Sequence, residues 1–240
     1  MSASRSEVAS GQIACLARAL FGADVAVAAD DPRLPATGLA PTEAAAAETM
    51  VARRRREFAA GRRAARAALG ELGAAPAAIP HGPDRAPVWP PGLIGSISHS
   101  PSSCIAAVCR TGRLAGIGLD IEPDEPLPLS LWDAILTADE RRWVERSGRE
   151  AAGRLARMVF SAKEAVYKCQ YPATRTVLDF QDVEIDPDGR RGDEFRVALR
   201  SPGAAIGVVA GRVGQAGSHL LAIATIERTG DLPPQRARRG

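Results

Sequence analysis

Two pairs of charged residues have the spacing expected of a metal and phosphate site. Asp120 and Glu122 lie two residues apart, and on a β-strand this spacing places both carboxylates on one face. Glu164 and Lys168 lie four residues apart, which on a helix is one turn along the same face. Carboxylates suit Mg²⁺, which usually binds one or two of them together with substrate phosphate. Each pair taken alone is also typical of a solvated strand edge or a surface ion pair.

A short hydroxyl-rich segment could bind phosphate or ribose. The sequence GSISHS at 95–100 places Ser98 at the end of a predicted strand and His99 directly after it. Hydroxyl groups, backbone N–H groups and imidazole together can hold an anion. A polar turn without a ligand is the alternative interpretation of this segment.

Arginines are concentrated in one predicted helix. Arg54, Arg62 and Arg66 would share roughly one helical face, and Arg85 follows in a proline-rich loop. Guanidinium groups match the oxygens of phosphate, although a solvated helix face or a nucleic-acid surface would use the same residues. Aromatic residues make up only 4% of the chain and do not interleave with these arginines, which argues against nucleic acid.

Composition places the chain among ordinary globular proteins. It has 240 residues, 45% of them hydrophobic, and a formal net charge of +3. The 4 cysteines do not form a C-x-x-C pair, so we expect reduced thiols rather than a disulfide framework. We find no signal peptide and no run of about 20 apolar residues that would span a membrane. We therefore expect a cytoplasmic protein.

The pattern along the chain predicts three helical regions. A long Ala-, Glu- and Arg-rich helix is expected from Thr42 to about Leu72. A capping box at Thr137–Glu140 begins a second helix that runs through Trp143. A third is expected over Glu150–Gln170, stopped just before Pro172 because proline disfavours helix in the preceding residue.

Short β-like runs follow the helical material in each half of the chain. The predicted strands are Val25–Ala28, Ile94–Ser98, Ile105–Cys109, Leu114–Ile121, Asp182–Asp186, Phe195–Leu199, Ala205–Val213 and His219–Glu227. We expect residues 1–10 and 229–240 to be frayed. The order of elements predicts an α+β protein built from two similar subdomains, each with an antiparallel sheet and helices. No sequence repeat is strong enough to prove a duplication.

Taken in order, these segments resemble the 4'-phosphopantetheinyl transferases of the surfactin and enterobactin synthetase component D type. The family pattern G-[I/V]-D with a following acid matches residues 118–122, where Leu119 is an apolar departure. Its second pattern, [F/W]-S-x-K-E-x-x-x-K, matches residues 160–168. Further similarities cover the R-R-x-E-F-x-x-G-R helix, the W-P-x-G-x-x-G-S-[I/L]-[S/T]-H segment and the Y-K-x-x-[F/Y]-P ending. The resemblance spans about residues 40 to 185.

The resemblance implies a pseudo-dimer whose active site lies between the two subdomains, at 1–118 and 119–240. The first would supply coenzyme A and carrier contacts, and the second would supply Mg²⁺ and the catalytic residues. Asp120, Glu122 and Glu164 are the implied Mg²⁺ ligands, and Glu164, Lys168 and Asp120 the implied catalytic residues. The implied coenzyme A contacts are Arg54, Arg62, Arg85, Ser98, His99, Lys163 and Lys168.

The implied reaction moves phosphopantetheine from coenzyme A to a serine of an apo acyl or peptidyl carrier protein and releases 3',5'-ADP. The pathway would be siderophore, polyketide or nonribosomal peptide synthesis, and the protein would be a monomer. Three alternatives remain: an inactive coenzyme A-binding module, a nucleic-acid-associated protein and a metal-dependent phosphate-ester hydrolase. The presence of all three carboxylates together with Lys168 argues against the first two.

Overall fold

The computed structural model describes residues 5–186, 193–200 and 209–228, and shows two antiparallel sheets with helices packed on them. The helices are α1 (Arg5–Phe21), α2 (Pro41–Ala47), α3 (Ala52–Glu71), α4 (Trp132–Ile135), α5 (Ala138–Arg146) and α6 (Arg149–Thr174). The strands are β1 (Ala26–Asp30), β2 (Leu93–His99), β3 (Cys104–Arg110), β4 (Leu114–Pro123), β5 (Val183–Asp186), β6 (Glu194–Leu199), β7 (Val209–Ala216) and β8 (His219–Glu227).

The first half consists of a three-stranded sheet, in the order β1-β3-β2, with α3 across one face. The helix presents small side chains to the sheet, among them the buried Ala64, Ala65 and Ala68. Alternate residues of β1 point to opposite faces, so Ala26 and Ala28 pack toward α3 while Val27 belongs to a different cluster. Small residues on both surfaces let helix and sheet approach closely.

The second half consists of a five-stranded sheet, in the order β4-β8-β7-β6-β5, with α6 across one face. The helix lies almost on the backbone of β4. A side chain at Gly118 would place its Cβ 2.0 Å from the carbonyl oxygen of Ala165 and 2.6 Å from the amide nitrogen of Cys169. Glycine at this position therefore sets the distance between α6 and β4.

The two sheets meet along β2 and β4 without a backbone ladder between these strands. Two serine side chains of β2 take the place of backbone acceptors: Ser96 Oγ accepts from the amide of Leu119 at 3.1 Å, and Ser98 Oγ from the amide of Ile121 at 3.4 Å. The contacts advance in the same direction along both strands, so β2 and β4 run parallel. We call this contact the serine seam.

One hydrophobic cluster is shared by the two halves. It contains Ile13 and Ala17 of α1, Ile105 of β3, and Leu119 and Ile121 of β4, and it extends to Leu221 and Ile223 of β8. Helix α1 lies over both sheets, and Arg212 of β7 donates to the carbonyl oxygens of Ala19 and Leu20 at its end. The architecture confirms the predicted α+β arrangement of two sheet-and-helix halves.

Two predicted helices have different limits in the structure. The single helix expected over residues 42–72 is two helices, α2 and α3, because Arg55 donates to the carbonyl oxygens of Ala47, Glu48 and Met50 and so ends α2. This break lets the buried Glu43 pair with Arg66 at 2.8 Å. Helix α6 continues beyond Pro172 to Thr174, because a proline in the last turn removes only one helical hydrogen bond.

The N-terminal segment also differs from the prediction. Residues expected to fray from 5 onward form α1, whose buried face includes Ile13, Ala14, Ala17 and Leu20. The expected C-terminal fraying at 229–240 and the first residues of the strand predicted at 205–213 lie outside the described residues. The proposed division at residue 118 stays a prediction, and its boundary falls within β4. Within the described ranges, no helix is both long and apolar enough to cross a membrane.

Candidate functional site

A cleft of about 400 Å³ lies where the two halves meet, and side chains of both halves line it. The first half contributes Arg54, Glu57, Phe58, Gly61, Arg62, Arg85, Pro87, Ile97, Ser98 and His99, and the second contributes Asp120, Glu122, Phe160, Glu164 and Lys168. The structure therefore brings together the predicted site residues except Lys163. A wider depression of about 870 Å³ near Ser147–Glu150 holds none of the predicted residues.

Asp120 is the most enclosed carboxylate of the cleft. Its backbone lies in β4, where Leu119 and Ile121 on either side point into the core and leave Asp120 on the cleft face. Its carboxylate accepts hydrogen bonds from Ser98 at 2.8 Å, from Ser161 at 2.9 Å and from Lys168 at 2.6 Å. The buried charge is thus matched by one ammonium group and two hydroxyl groups.

Glu122 follows Asp120 on the same face and pairs with a residue to which the sequence analysis assigns no role. Arg157 of α6 donates to its carboxylate at 2.8 Å. Burial raises the pKa of Glu122 above its ordinary value, the neighbouring Asp120 raises it further, and Arg157 opposes both effects. Arg157 lies 7 residues before Glu164, so two helical turns place it on the same face.

Glu164 has a different environment from the other two acids. Within the described residues its carboxylate has neither a hydrogen-bond donor nor an ion-pair partner, although Lys168 lies one turn further along α6. Burial raises the pKa of Glu164, Lys168 lowers it and Asp120 raises it, with a net shift above the ordinary value. Such a carboxylate is a stronger base than a free one and can accept a proton or bind a cation.

The donor set fits a hard divalent cation in its chemistry, since Asp120, Glu122 and Glu164 supply carboxylate oxygens to one cleft. The described residues do not, however, contain a group of three His, Cys, Asp or Glu side chains already arranged around a metal position. Two of the three carboxylates are instead paired with Lys168 and Arg157. A cation at this place would replace those partners.

The opposite wall of the cleft is basic and contains one acid, Glu57. Its carboxylate accepts from Arg53 at 2.8 Å and from Arg54 at 3.4 Å, and lies 3.7 Å from Nε2 of His99. Arg54 in turn donates to Nε2 of His99 at 2.5 Å. Burial alone would raise the pKa of Glu57, but Arg53, His99 and Arg54 together lower it below its ordinary value. Glu57 therefore orients the basic groups beside it.

Two further arginines border this wall. Arg62 is buried, donates through Nε to the carbonyl oxygen of Ile79 at 2.9 Å, and lies over the ring of Phe58 at 3.9 Å. Burial lowers the pKa of Arg62 to about 10, which still leaves it charged at neutral pH. Arg85 lies at the tip of a loop with a left-handed backbone, φ 66°. Arg66 pairs with Glu43 and does not line the cleft.

Lys163 does not lie where a coenzyme A ligand was expected. Its ammonium group is buried, pairs with Glu140 at 2.7 Å, and donates to the carbonyl oxygens of Ile135 and Phe180 at 2.7 and 2.8 Å. Residues 163 and 164 differ by about 100° around a helix, so Glu164 can face the cleft while Lys163 faces the core. The structure thus places Lys163 in a buried ion pair outside the cleft, and its predicted contact with coenzyme A stays a prediction.

Comparison with known families gives two matches that together cover most of the chain. Residues 42–109 match the 4'-phosphopantetheinyl transferase N-terminal domain. Residues 116–224 match the 4'-phosphopantetheinyl transferase superfamily. The first segment contains α3 and the serines of β2, and the second contains α6 and most of β4. The cleft is therefore formed by both matched segments.

Three curated relatives show the same similarity. The chain is 39% identical over 181 residues to 4'-phosphopantetheinyl transferase Svp of Streptomyces mobaraensis, covering 74% of this chain and 72% of that protein. It is 41% identical to 4'-phosphopantetheinyl transferase Npt of Nocardia iowensis, covering 56% and 60%. It is 40% identical to enterobactin synthase component D of Salmonella typhi, covering 48% of each. The chain belongs to the 4'-phosphopantetheinyl transferase superfamily.

Proposed function

We propose that this chain transfers the 4'-phosphopantetheine arm of coenzyme A to a serine hydroxyl of an apo acyl or peptidyl carrier protein and releases 3',5'-ADP. One observation supports this most directly: Glu164, a partly buried carboxylate without a partner in the described residues, lies one helical turn from Lys168 in a cleft whose other wall is basic. Phosphoryl-type transfer needs this combination of positioning, charge neutralisation and a proton acceptor.

The donor would bind across the cleft. Arg54, Arg62, Arg85, Ser98 and His99 would contact the phosphates and the nucleoside end of coenzyme A, since cationic and hydroxyl groups of the first half face that space. Lys168 would neutralise charge on the pyrophosphate. Because it is held by Asp120 and Ser98 at 2.6 and 3.0 Å, its ammonium group is already fixed at the junction of the two halves.

In the reaction itself, the serine oxygen of the carrier protein attacks the β-phosphorus of coenzyme A. The bond between that phosphorus and the bridging oxygen of 3',5'-ADP breaks, and the nucleotide leaves. Glu164, directly or through water, takes the proton of the serine hydroxyl, and its raised pKa suits it to this role. The protein supplies no covalent nucleophile to this scheme.

Mg²⁺ is part of the proposal. Asp120, Glu122 and Glu164 would hold it, and it would supply charge neutralisation at the pyrophosphate oxygens. We further propose that the protein acts as a monomer in the cytoplasm on carrier proteins of siderophore, polyketide or nonribosomal peptide synthesis. The net charge of +3 favours encounter with an acidic carrier protein.

The test is a transfer assay read by mass spectrometry. The protein is mixed with coenzyme A, Mg²⁺ and an apo carrier protein, and the carrier should gain the mass of phosphopantetheine. Glu164→Gln and addition of a chelator should each abolish the gain, whereas Glu150→Gln, an exposed acid on the same helix, should not. Coenzyme A bound without transfer to several carriers would indicate a binding module. Coenzyme A cleaved without a carrier would indicate a hydrolase.

A further inference from the structure

A loop of the first half crosses to the end of α6 in the second half. We call residues 82–87 the crossing loop. An isolated β-bridge between His81 and Pro87 closes the base of the loop. The amide of Gly82 donates to the carbonyl oxygen of Ala86 at 2.9 Å, and the amide of Arg85 donates to the carbonyl oxygen of Gly82 at 2.9 Å. Oδ1 of Asp84 accepts from the amide of Ala86 at 3.1 Å, which completes a tight turn.

The other carboxylate oxygen of Asp84 binds the second half. Oδ2 accepts from the hydroxyl of Tyr171 at 3.1 Å and from the guanidinium of Arg175 at 2.5 Å. The ring of Tyr171 stacks on Tyr167 with centroids 5.3 Å apart, and the guanidinium carbon of Arg175 lies 5.7 Å from the centre of the Tyr171 ring. We call Asp84, Tyr171 and Arg175 the clamp.

The clamp depends on the final turn of α6. Because the helix continues through Pro172 to Thr174, Arg175 lies directly after it, with φ 56° and its amide bonded to the carbonyl oxygen of Tyr171 at 2.8 Å. A helix that ended before Pro172 would not define where Arg175 lies relative to the crossing loop. The sequence pattern predicts a helix that ends there, and it indicates no role for Asp84, Tyr171 or Arg175.

The crossing loop forms a wall of the cleft and of a neighbouring pocket of about 230 Å³. Arg85, Pro87, Ile97 and Lys168 line both spaces, so the two are continuous along the loop. Arg85 has a left-handed backbone, which is strained for a residue other than glycine, and such a conformation persists only where neighbouring contacts hold it. The turn on one side of Asp84 and the clamp on the other are those contacts.

We infer that Asp84, Tyr171 and Arg175 are positioning residues that fix Arg85 against the cleft and thereby set the affinity for the nucleoside end of coenzyme A. The inference rests on the proposed function, because it takes coenzyme A as the ligand. Among the described residues, the contacts of Asp84, Tyr171 and Arg175 include neither Glu164 nor Asp120. The clamp should therefore act on donor binding and leave the chemical step unchanged.

The test compares Asp84→Asn, Arg175→Gln and Tyr171→Phe with the parent protein. Asparagine keeps an oxygen that can accept from the amide of Ala86, so the first variant removes the charge and preserves the turn. A matched control is Arg200→Gln, because Arg200 and Glu184 form an ion pair with side chains 51% and 25% exposed, against 62% and 26% for Arg175 and Asp84. The Arg200 pair joins β5 to the end of β6 and does not line the cleft.

Two quantities are measured: the steady-state constants for coenzyme A with an apo carrier protein, and the Kd for 3',5'-ADP by titration calorimetry. Asp84→Asn and Arg175→Gln should each raise the KM for coenzyme A and the Kd for 3',5'-ADP about threefold to tenfold, with kcat within about twofold of the parent. Arg175→Lys should restore part of the loss. The double variant Asp84→Asn with Arg175→Gln should be no weaker than the worse single variant, because the two residues share one contact.

The outcomes separate the inference from the proposed function. The inference is overturned if the clamp variants have the same Kd for 3',5'-ADP as the parent protein and the Arg200→Gln control. This holds whatever the transfer assay shows. A fall in kcat without a change in KM or Kd would overturn it as well. A parent protein that binds 3',5'-ADP more tightly than its clamp variants, yet transfers nothing, would support the clamp and reject the proposed transfer reaction. A parent protein that binds neither coenzyme A nor 3',5'-ADP would reject both.

Discussion

At the scale of single residues, the three carboxylates of the cleft differ in how their charge is balanced. Asp120 has an ammonium group and two hydroxyl groups, Glu122 has Arg157, and Glu164 has no such partner among the described residues. A buried carboxylate that is ionised without a partner lowers the free energy of unfolding. The residue best suited to accept a proton is thus also the one that destabilises the empty protein.

This difference predicts that Glu164→Gln stabilises the protein while it abolishes transfer. The folded-state pKa of Glu164 lies above its ordinary value of 4.5, so ionisation of Glu164 reduces stability as pH rises through the interval above 4.5. In the presence of chelator the variant should have the higher Tm at pH about 7.5, and the difference should vanish near pH about 3, where the carboxyl is protonated in both states. A variant less stable than the parent at the higher pH would contradict this account.

Substitution in the buried ion pair of Lys163 and Glu140 should instead destabilise the protein. Both side chains are 1% exposed, so Lys163→Met leaves the carboxylate of Glu140 buried without its cation. The free energy of unfolding should fall by about 3–5 kcal/mol, measured by urea denaturation. Arg142→Gln is the control, since Arg142 and its partner Asp139 are 61% and 58% exposed in their side chains and the change should cost less than about 1 kcal/mol. An intact stability with a raised KM for coenzyme A would restore Lys163 to a ligand role.

At the scale of elements, the site depends on the close contact of α6 with β4, which brings Glu164 and Lys168 of the helix beside Asp120 and Glu122 of the strand. The contact is possible because Gly118 has no side chain to meet the helix backbone. Ala165 and Cys169, which meet that glycine, lie next to Glu164 and Lys168 along α6. The packing and the chemistry of the site therefore involve adjacent residues.

Gly118→Ala should for this reason damage both stability and transfer. Its Cβ would lie 2.0 Å from the carbonyl oxygen of Ala165, which is backbone and cannot rotate away. We expect a loss of about 3 kcal/mol or more in the free energy of unfolding, together with reduced kcat, because the helix must move from the strand. Gly112→Ala, where a Cβ would meet nothing within 4 Å, is the control. Equal denaturation curves for the two variants would show that α6 can adjust.

Helices and strands were predictable from the sequence where neighbouring residues alone determine them. The capping box at Thr137 is confirmed, with the amide of Thr137 donating to Glu140 at 2.7 Å, because it depends on neighbouring residues alone. The strands within 93–123 and β8 follow from short apolar runs. Helix α1 was not predictable, because its burial depends on distant residues such as Leu221 of β8. The break between α2 and α3 was not predictable either, because it depends on where the side chain of Arg55 donates its hydrogen bonds.

In the candidate site as well, the features that depend on tertiary contacts were not predictable from the sequence. Spacing placed Asp120 with Glu122 and Glu164 with Lys168, and the concentration of arginines indicated a basic wall, so the lining of the cleft was largely predictable. The resemblance added the ligand that these residues would contact. The partners Arg157, Ser161 and Glu57 lie within the quoted segments or one or two turns from them, yet their roles require the helix faces to be known. The burial of Lys163 beside Glu140 was not predictable, because a motif does not say toward which side of the helix each of its residues points.

At the scale of the whole molecule, the two halves are joined through side chains at the serine seam and through the cluster under α1. At the seam, Ser96 is buried and is the acceptor for the amide of Leu119 on the free edge of β4. Loss of that acceptor would leave a buried N–H group without a partner. The alignment of Asp120 with the residues of β2 depends on this contact.

Ser96→Ala should therefore lower the free energy of unfolding by about 1–3 kcal/mol in chemical denaturation. The unfolding transition should remain single, because the shared hydrophobic cluster couples the halves. Ser130→Ala, at an exposed position, should change neither quantity. Two separate transitions in the Ser96→Ala protein would indicate that the seam, rather than the cluster under α1, holds the halves together.

The shared hydrophobic cluster also determines what happens if the protein is produced as two separate fragments. The chain passes between the sheets once in its course from β3 to β4, at residues 111–113, which is where a cut would seem natural. Each fragment would nevertheless carry half of one core: Ile13 and Ile105 on one side, Leu119 and Leu221 on the other. We expect either fragment expressed alone to aggregate, and the two fragments expressed together to reassemble. If each fragment is fused to a different protein, recovered phosphopantetheine transfer would then report that the two fused proteins lie close together.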